Sequence, residues 1–74
     1  MNTETVINIL ADIAGVPENE ITPDTTLDSL GLDSLDTTEF FMELEEEFEI
    51  LVEDEAWQPC KTVQDVINVV ESRI

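Results

Sequence analysis

Leu30-Gly31-Leu32-Asp33-Ser34-Leu35-Asp36-Thr37 is where an aperiodic stretch of chain turns into a strong helix. Upstream, residues Val16 to Asp33 carry two prolines, several Thr and Asp, and a Gly, with no helical or strand period. Loops this long inside a compact domain are either functional or disordered. The spaced apolar residues Ile21, Leu27, Leu30 and Leu32 predict an ordered one. Downstream, Phe40, Phe41, Leu44 and Phe48 fall within about one quadrant at ~100° per residue, which predicts a helix over Ser34 to Glu49 with these four facing the core.

The same reasoning extends in both directions. Val6, Leu10, Ile13 and Ala14 make a helical stripe from Thr3 to Ala14, stopped by Gly15 and Pro17. After Ile50 to Glu53, a short acidic helix is expected from Asp54 to Gln58, ended by Pro59. Thr62 and Asp65 have the spacing of a weak capping box. They open the cleanest stripe in the chain: Val63, Val66, Ile67, Val70 and Ile74. The expected fold is all-α, a small four-helix bundle of three longer helices and one short one, with a long ordered loop between the first and second. At 74 residues there is room for one domain, 1–74, and a modest core.

Charge bounds the function. Nineteen Asp and Glu face two Lys and Arg, a formal net charge of −17 with no His. Such a surface repels nucleic acid and anionic lipid and favours basic protein partners. Without His, the commonest general base and metal ligand is missing, so no catalytic residue is assigned. The acidic run does not match a calcium-binding loop, and no specific metal site is expected. A lone Cys60 fits a reducing compartment; Met1-Asn2-Thr3-Glu4 lacks the basic start of a signal peptide, and no apolar run approaches membrane-spanning length. The expectation is a cytoplasmic monomer that does not insert into membranes.

Ser34 admits two readings. It can be a helix N-cap, as Ser before a periodic stretch often is. It can also carry a covalent group, because the free N–H groups and positive dipole of a helix start receive phosphate oxygens. Asp33 and Asp36 crowd negative charge beside such a phosphate, so the group would be a tether rather than a charge-paired switch. The next helix turns supply a second signal. Leu35 and Met42 project roughly 150° from the core face among Thr38, Glu39, Glu45, Glu46 and Glu49, an apolar pair ringed by acid. That pattern fits a small hot spot with a charged rim for fast, salt-sensitive docking.

With these residues in place the chain resembles the acyl carrier protein family. Leu30 to Thr37 is similar to its attachment motif, Glu43-Leu44-Glu45-Glu46-Glu47-Phe48 to the acidic end of its second helix, and Thr62-Val63-Gln64-Asp65-Val66 to the start of its last. The resemblance covers essentially the whole chain. It implies a carrier that is not itself an enzyme. Ser34 would accept 4′-phosphopantetheine from coenzyme A, a phosphopantetheinyl transferase would supply the base and Mg²⁺, and the arm's thiol would hold acyl groups. It further implies docking of Asp33, Leu35, Asp36, Thr38, Glu39, Met42, Glu45, Glu46 and Glu49 to basic patches on acyl-chain synthesising and transferring enzymes. An acyl pocket would involve Leu44, Val52, Trp57, Cys60 and Val66, with Phe41 at its mouth or wall.

The pathway stays open between fatty-acid and polyketide-type synthesis, and an aminoacyl carrier is the near alternative. A nucleic-acid mimic would make no use of Ser34, and a hydrolase would lack a base. Departures from the family pattern cluster away from the attachment motif. Phe40 and Phe41 stand where aliphatic residues are usual, Trp57 and Cys60 replace a small residue and an Ile, and Thr38 and Glu43 replace apolar residues. An indole in place of a small side chain must fill the pocket or cover the short helix, and filling it predicts a shallower site for shorter or unusual chains.

Overall fold

The computed structural model describes residues 2–74. Helix α1 runs Asn2–Ala14, α2 Ser34–Phe48, α3 Asp54–Trp57 and α4 Val63–Arg73; single turns of 3₁₀ helix at Glu18–Glu20 and Asp28–Leu30 punctuate the long loop. The expected bundle is therefore present, with three longer helices and one short one. α1 packs against both α2 and α4, and α3 rests on α4.

Each helix buries the stripe its spacing dictates. Val6, Leu10, Phe40, Leu44, Val63, Val66 and Val70 are wholly buried, and Ile67 nearly so. Each such side chain contributes about 1.5–3 kcal/mol relative to remaining exposed. Ile13, Phe41 and Phe48 are only partly buried against that core, and three further positions depart from expectation. On α1, Ala11 is buried while Ala14 is only half-buried, because the helix ends there and Gly15 turns the chain away at φ 72°. Ile74 lies one residue past the end of α4 and is 60% exposed, so the last stripe closes at Val70.

The long loop is ordered because it is stitched to the start of α4. Ile21 and Leu27 are buried, and Leu30 and Leu32 pack against the core. Thr26 and Thr62 form an antiparallel bridge, with Leu27 N–H donating to Lys61 O at 2.9 Å. A helix start leaves four N–H groups without intrahelical partners. On α4 all four are satisfied: Thr62 N–H by the Asp65 carboxylate, Val63 N–H by Thr25 O at 3.0 Å, Gln64 N–H by Pro23 O at 2.9 Å, and Asp65 N–H by Thr62 Oγ1 at 3.2 Å. The Thr62–Asp65 capping box is complete. The Asp65 carboxylate also accepts from the N–H of Lys61 (2.9 Å) and of Thr62 (3.1 Å), and those bonds hold its pKa below the usual carboxylate range.

The other end of α2 is less comfortable. Glu49 caps it with φ 55° and ψ 49°, a left-handed conformation that glycine normally supplies. No basic residue lies in the last turn of α2 to complement the negative end of the helix.

Candidate functional site

Ser34 is the first residue of α2, and it does not cap the helix. Asp33 does: its backbone is extended (φ −93°, ψ −175°), its Oδ1 accepts from Asp36 N–H at 2.9 Å, and the Asp36 carboxylate reaches back to Asp33 N–H at 3.5 Å. Thr37 Oγ1 tightens the turn by donating to Asp33 O at 2.9 Å. The cap sits one residue earlier than the Ser reading placed it, because Asp33, not Ser34, has an acidic residue three positions on. This leaves the Ser34 hydroxyl exposed and, among the described residues, without a hydrogen-bond partner. The N–H groups of Ser34 and Leu35 have no acceptor among the described residues either. A free hydroxyl beside free N–H donors at a helix start is the chemistry a phosphodiester needs.

Two open grooves flank this serine and share Thr38. The first, about 550 Å³, is lined by Leu35, Thr38, Glu39, Met42, Glu43 and Glu46. Leu35 is 79% exposed and Met42 57%, so the apolar pair expected on the outer face of α2 is indeed presented to solvent inside an acidic border. Glu43 was not among the expected docking residues. Its signal was available, since it follows Met42 and stands four residues after Glu39 on the same face. Glu45 does not line this groove; its Oε2 accepts from Val52 N–H at 2.9 Å, fastening the following loop to α2. Glu49 is exposed at the C-terminal cap, while Asp33 and Asp36 are engaged in the N-terminal capping box.

The second groove, about 650 Å³, runs from Ser34 along α2 to α3. Leu32, Phe41, Trp57 and Cys60 supply its apolar surface, and Asp33, Thr37, Thr38, Asp54 and Gln58 are among its polar lining. Of the expected pocket residues, it brings together Phe41, Trp57 and Cys60. Leu44, Val52 and Val66 are buried in the core and do not line it. Trp57 is only 4% exposed, so it is built into the body of the domain rather than laid over α3 as a cover. The Cys60 thiol donates to Ala56 O at 3.6 Å. Burial, and after it the nearby negative charge of Asp65, pushes its pKa up, which disfavours the reactive thiolate at neutral pH. Thr37, three residues on from Ser34, and Gln58 were missed. Helical spacing alone could have placed Thr37.

A family of phosphopantetheine attachment sites matches residues 4–70, nearly the full length of the chain. The chain belongs to the acyl carrier protein family. It is 44% identical over 71 residues to an acyl carrier protein of Solidesulfovibrio magneticus, covering 95% of this chain and 91% of that one. Its fold superposes on the crystal structure of an acyl carrier protein from Thermotoga maritima with a TM-score of 0.77 at 28% identity, covering 99% of this chain and 91% of the other. As an acyl carrier protein it is a carrier rather than a catalyst, and its cofactor is 4′-phosphopantetheine. Whether these residues fit that group can be judged from the start of α2. Its hydroxyl and two N–H groups, without partners among the described residues, and the adjoining partly apolar groove meet the needs of a phosphodiester and of an elongated, partly polar arm. Among the described residues no helix is long and apolar enough to cross a membrane.

Proposed function

We propose that Ser34 bears the phosphopantetheine arm and that this domain, residues 1–74, carries acyl intermediates between enzymes of fatty-acid or polyketide-type biosynthesis. When bound, the arm supplies a thiol that holds acyl groups as thioesters. The observation that carries the reading is the exposed Ser34 hydroxyl at a helix start, without a hydrogen-bond partner among the described residues. Ser34 Oγ attacks the phosphorus of coenzyme A that bears the pantetheine portion. The new Ser O–P bond replaces the pyrophosphate bond, the nucleotide leaves, and the hydroxyl proton passes to a base on the transferase. That base must come from outside, since the chain has no His.

Docking follows from the acidic groove on α2. Leu35 and Met42 offer an apolar centre, Glu39, Glu43 and Glu46 a rim, and a net charge of −17 steers basic partners towards it. The partners this surface suits are the phosphopantetheinyl transferase and acyl-processing enzymes bearing basic patches. The tether then keeps the thioester at high effective concentration near whichever active site has docked.

The test is intact mass after incubation with coenzyme A and a broad-specificity phosphopantetheinyl transferase. The wild type should gain one phosphopantetheine group, and Ser34→Ala none. Because Asp33 and Asp36 hold the helix cap, Ser34→Ala should unfold within about 0.5 kcal/mol of the wild type, as exposed substitutions away from caps do. Modification of the Ala variant would refute the site.

A further inference from the structure

Phe41 of α2 and Trp57 of α3 lie face to face, ring centroids 4.4 Å apart and planes within 2° of parallel. Phe40, wholly buried, continues the aromatic surface, its centroid 5.6 Å from that of Phe41. The stacked pair therefore bridges the two helices that bound the groove leading from Ser34. Leu44, Val52 and Val66 belong to the packed core, none more than 8% exposed.

We propose that the Phe41–Trp57 stack closes the bundle interior to the cargo, so that an acyl group rests in the outer groove and the carrier is matched to short acyl groups. The inference rests on the reading that Ser34 bears the arm. A chain tethered there has two places to go. To enter the core it must pry the stacked rings apart and wedge into close-packed side chains. To stay outside it lies on Leu32 and the exposed portion of Phe41, with Thr37 and Gln58 along the border to receive polar substituents. Each methylene buried in an apolar interior is worth about fourfold in equilibrium. An open groove grants that gain only until its apolar floor is covered. The groove therefore rewards a short group, and a longer one projects into water without being protected. The raised pKa of Cys60 agrees, since a protonated thiol does not attack a thioester held beside it.

The experiment loads the full chain with butyryl, octanoyl and dodecanoyl phosphopantetheine from the corresponding coenzyme A thioesters, with loading verified by intact mass. Thioester cleavage by neutral hydroxylamine is then timed, and the emission of Trp57, the only Trp in the chain, is recorded. Wild-type cleavage rates should agree within about twofold across the three lengths, with Trp57 emission the same for octanoyl and dodecanoyl forms; that twofold window is less than the effect of burying one methylene. In Trp57→Ala the dodecanoyl form should be cleaved at least about fivefold more slowly than the butyryl form, as burial of even a few methylenes requires. Should Trp57→Ala fail to fold by circular dichroism, Phe41→Leu, which keeps the Trp reporter, should show the same length dependence together with a shifted emission. Wild-type protection that grows with chain length would mean that chains pass the stack and would overturn the proposal. So would flat rates in the folded variants. Absence of any mass gain on loading would instead overturn the Ser34 reading, and this inference with it.

Discussion

Glu49→Gly should stabilise the fold, although it deletes an exposed side chain and touches no core residue. At φ 55° and ψ 49° the Glu49 Cβ sits close to its own following carbonyl, a strain of about 1–2 kcal/mol for an L-residue. Its carboxylate stands at the negative end of α2, where a cation would be favoured, and loss of that charge is worth about 0.3–1 kcal/mol at low salt. Glu45 and Glu46, four and three residues earlier, add like-charge repulsion of about 0.2–0.5 kcal/mol for each pair. Against these gains, glycine loses about 0.5–1 kcal/mol more conformational entropy on folding. The net expectation is a gain of about 1–3 kcal/mol, at roughly 4–8 °C in Tm for each kcal/mol in a domain of this size. Urea denaturation at low ionic strength measures it, with Glu49→Gln as the companion that removes the charge but keeps the side chain. Glu49→Gln should recover only the electrostatic share, and that share should shrink in salt while the glycine-specific share persists. If Glu49→Gly is no more stable than Glu49→Gln, the left-handed cap stores no strain and the reasoning fails.

Other outcomes are open to test. Glu39→Lys and Glu46→Lys should slow association with a cognate enzyme, Met42→Ala should chiefly speed dissociation, and Glu45→Lys should instead lower stability by freeing Val52 N–H; salt-independent affinity would contradict the steering. The depressed pKa of Asp65 means that its capping bonds stabilise the fold above the unfolded carboxylate value of about 3.9 and cease to do so as pH falls through the lower folded value. The stability gap between wild type and Asp65→Asn should therefore hold from pH 7 to 5 and close below about pH 4; a gap constant down to pH 3 would refute the assignment. Cys60 should react with iodoacetamide at pH 7 more slowly than free cysteine, and faster in Asp65→Asn, where a charge that raises its pKa is gone. An unchanged rate in that variant would remove Asp65 from the account.

What could be read in the sequence, and what could not, divides along one physical line. Periodicity reports which face of a helix is buried, and it placed Val6, Leu10, Phe40, Leu44 and the Val63–Val70 stripe correctly, since burial of an amphipathic face is a local property of spacing. Cap chemistry was legible at Thr62 and Asp65 but slipped by one residue at Ser34, where two adjacent residues can both cap and only the partner three positions on decides. The Phe41–Trp57 stack was invisible because it joins α2 to a four-residue helix whose orientation no period encodes. The Glu45 contact was hidden for a related reason: the residue sits on the outer arc of α2, but a loop N–H seven residues on donates to its carboxylate. The local rules fail where α2 meets its surroundings. At one end Asp33 takes the capping position, and the hydroxyl of Ser34 has no partner among the described residues; at the other, acid crowds a helix end that would prefer base, and Glu49 adopts a turn made for glycine. Departures from local consistency concentrate where a chain is constrained by something other than its own stability. If a basic partner reads the acidic rim on this same helix, the charge that favours docking would also weaken the C-terminal end of α2. A bound basic surface would relieve that repulsion, which makes the docked carrier more stable than the free one by linkage alone.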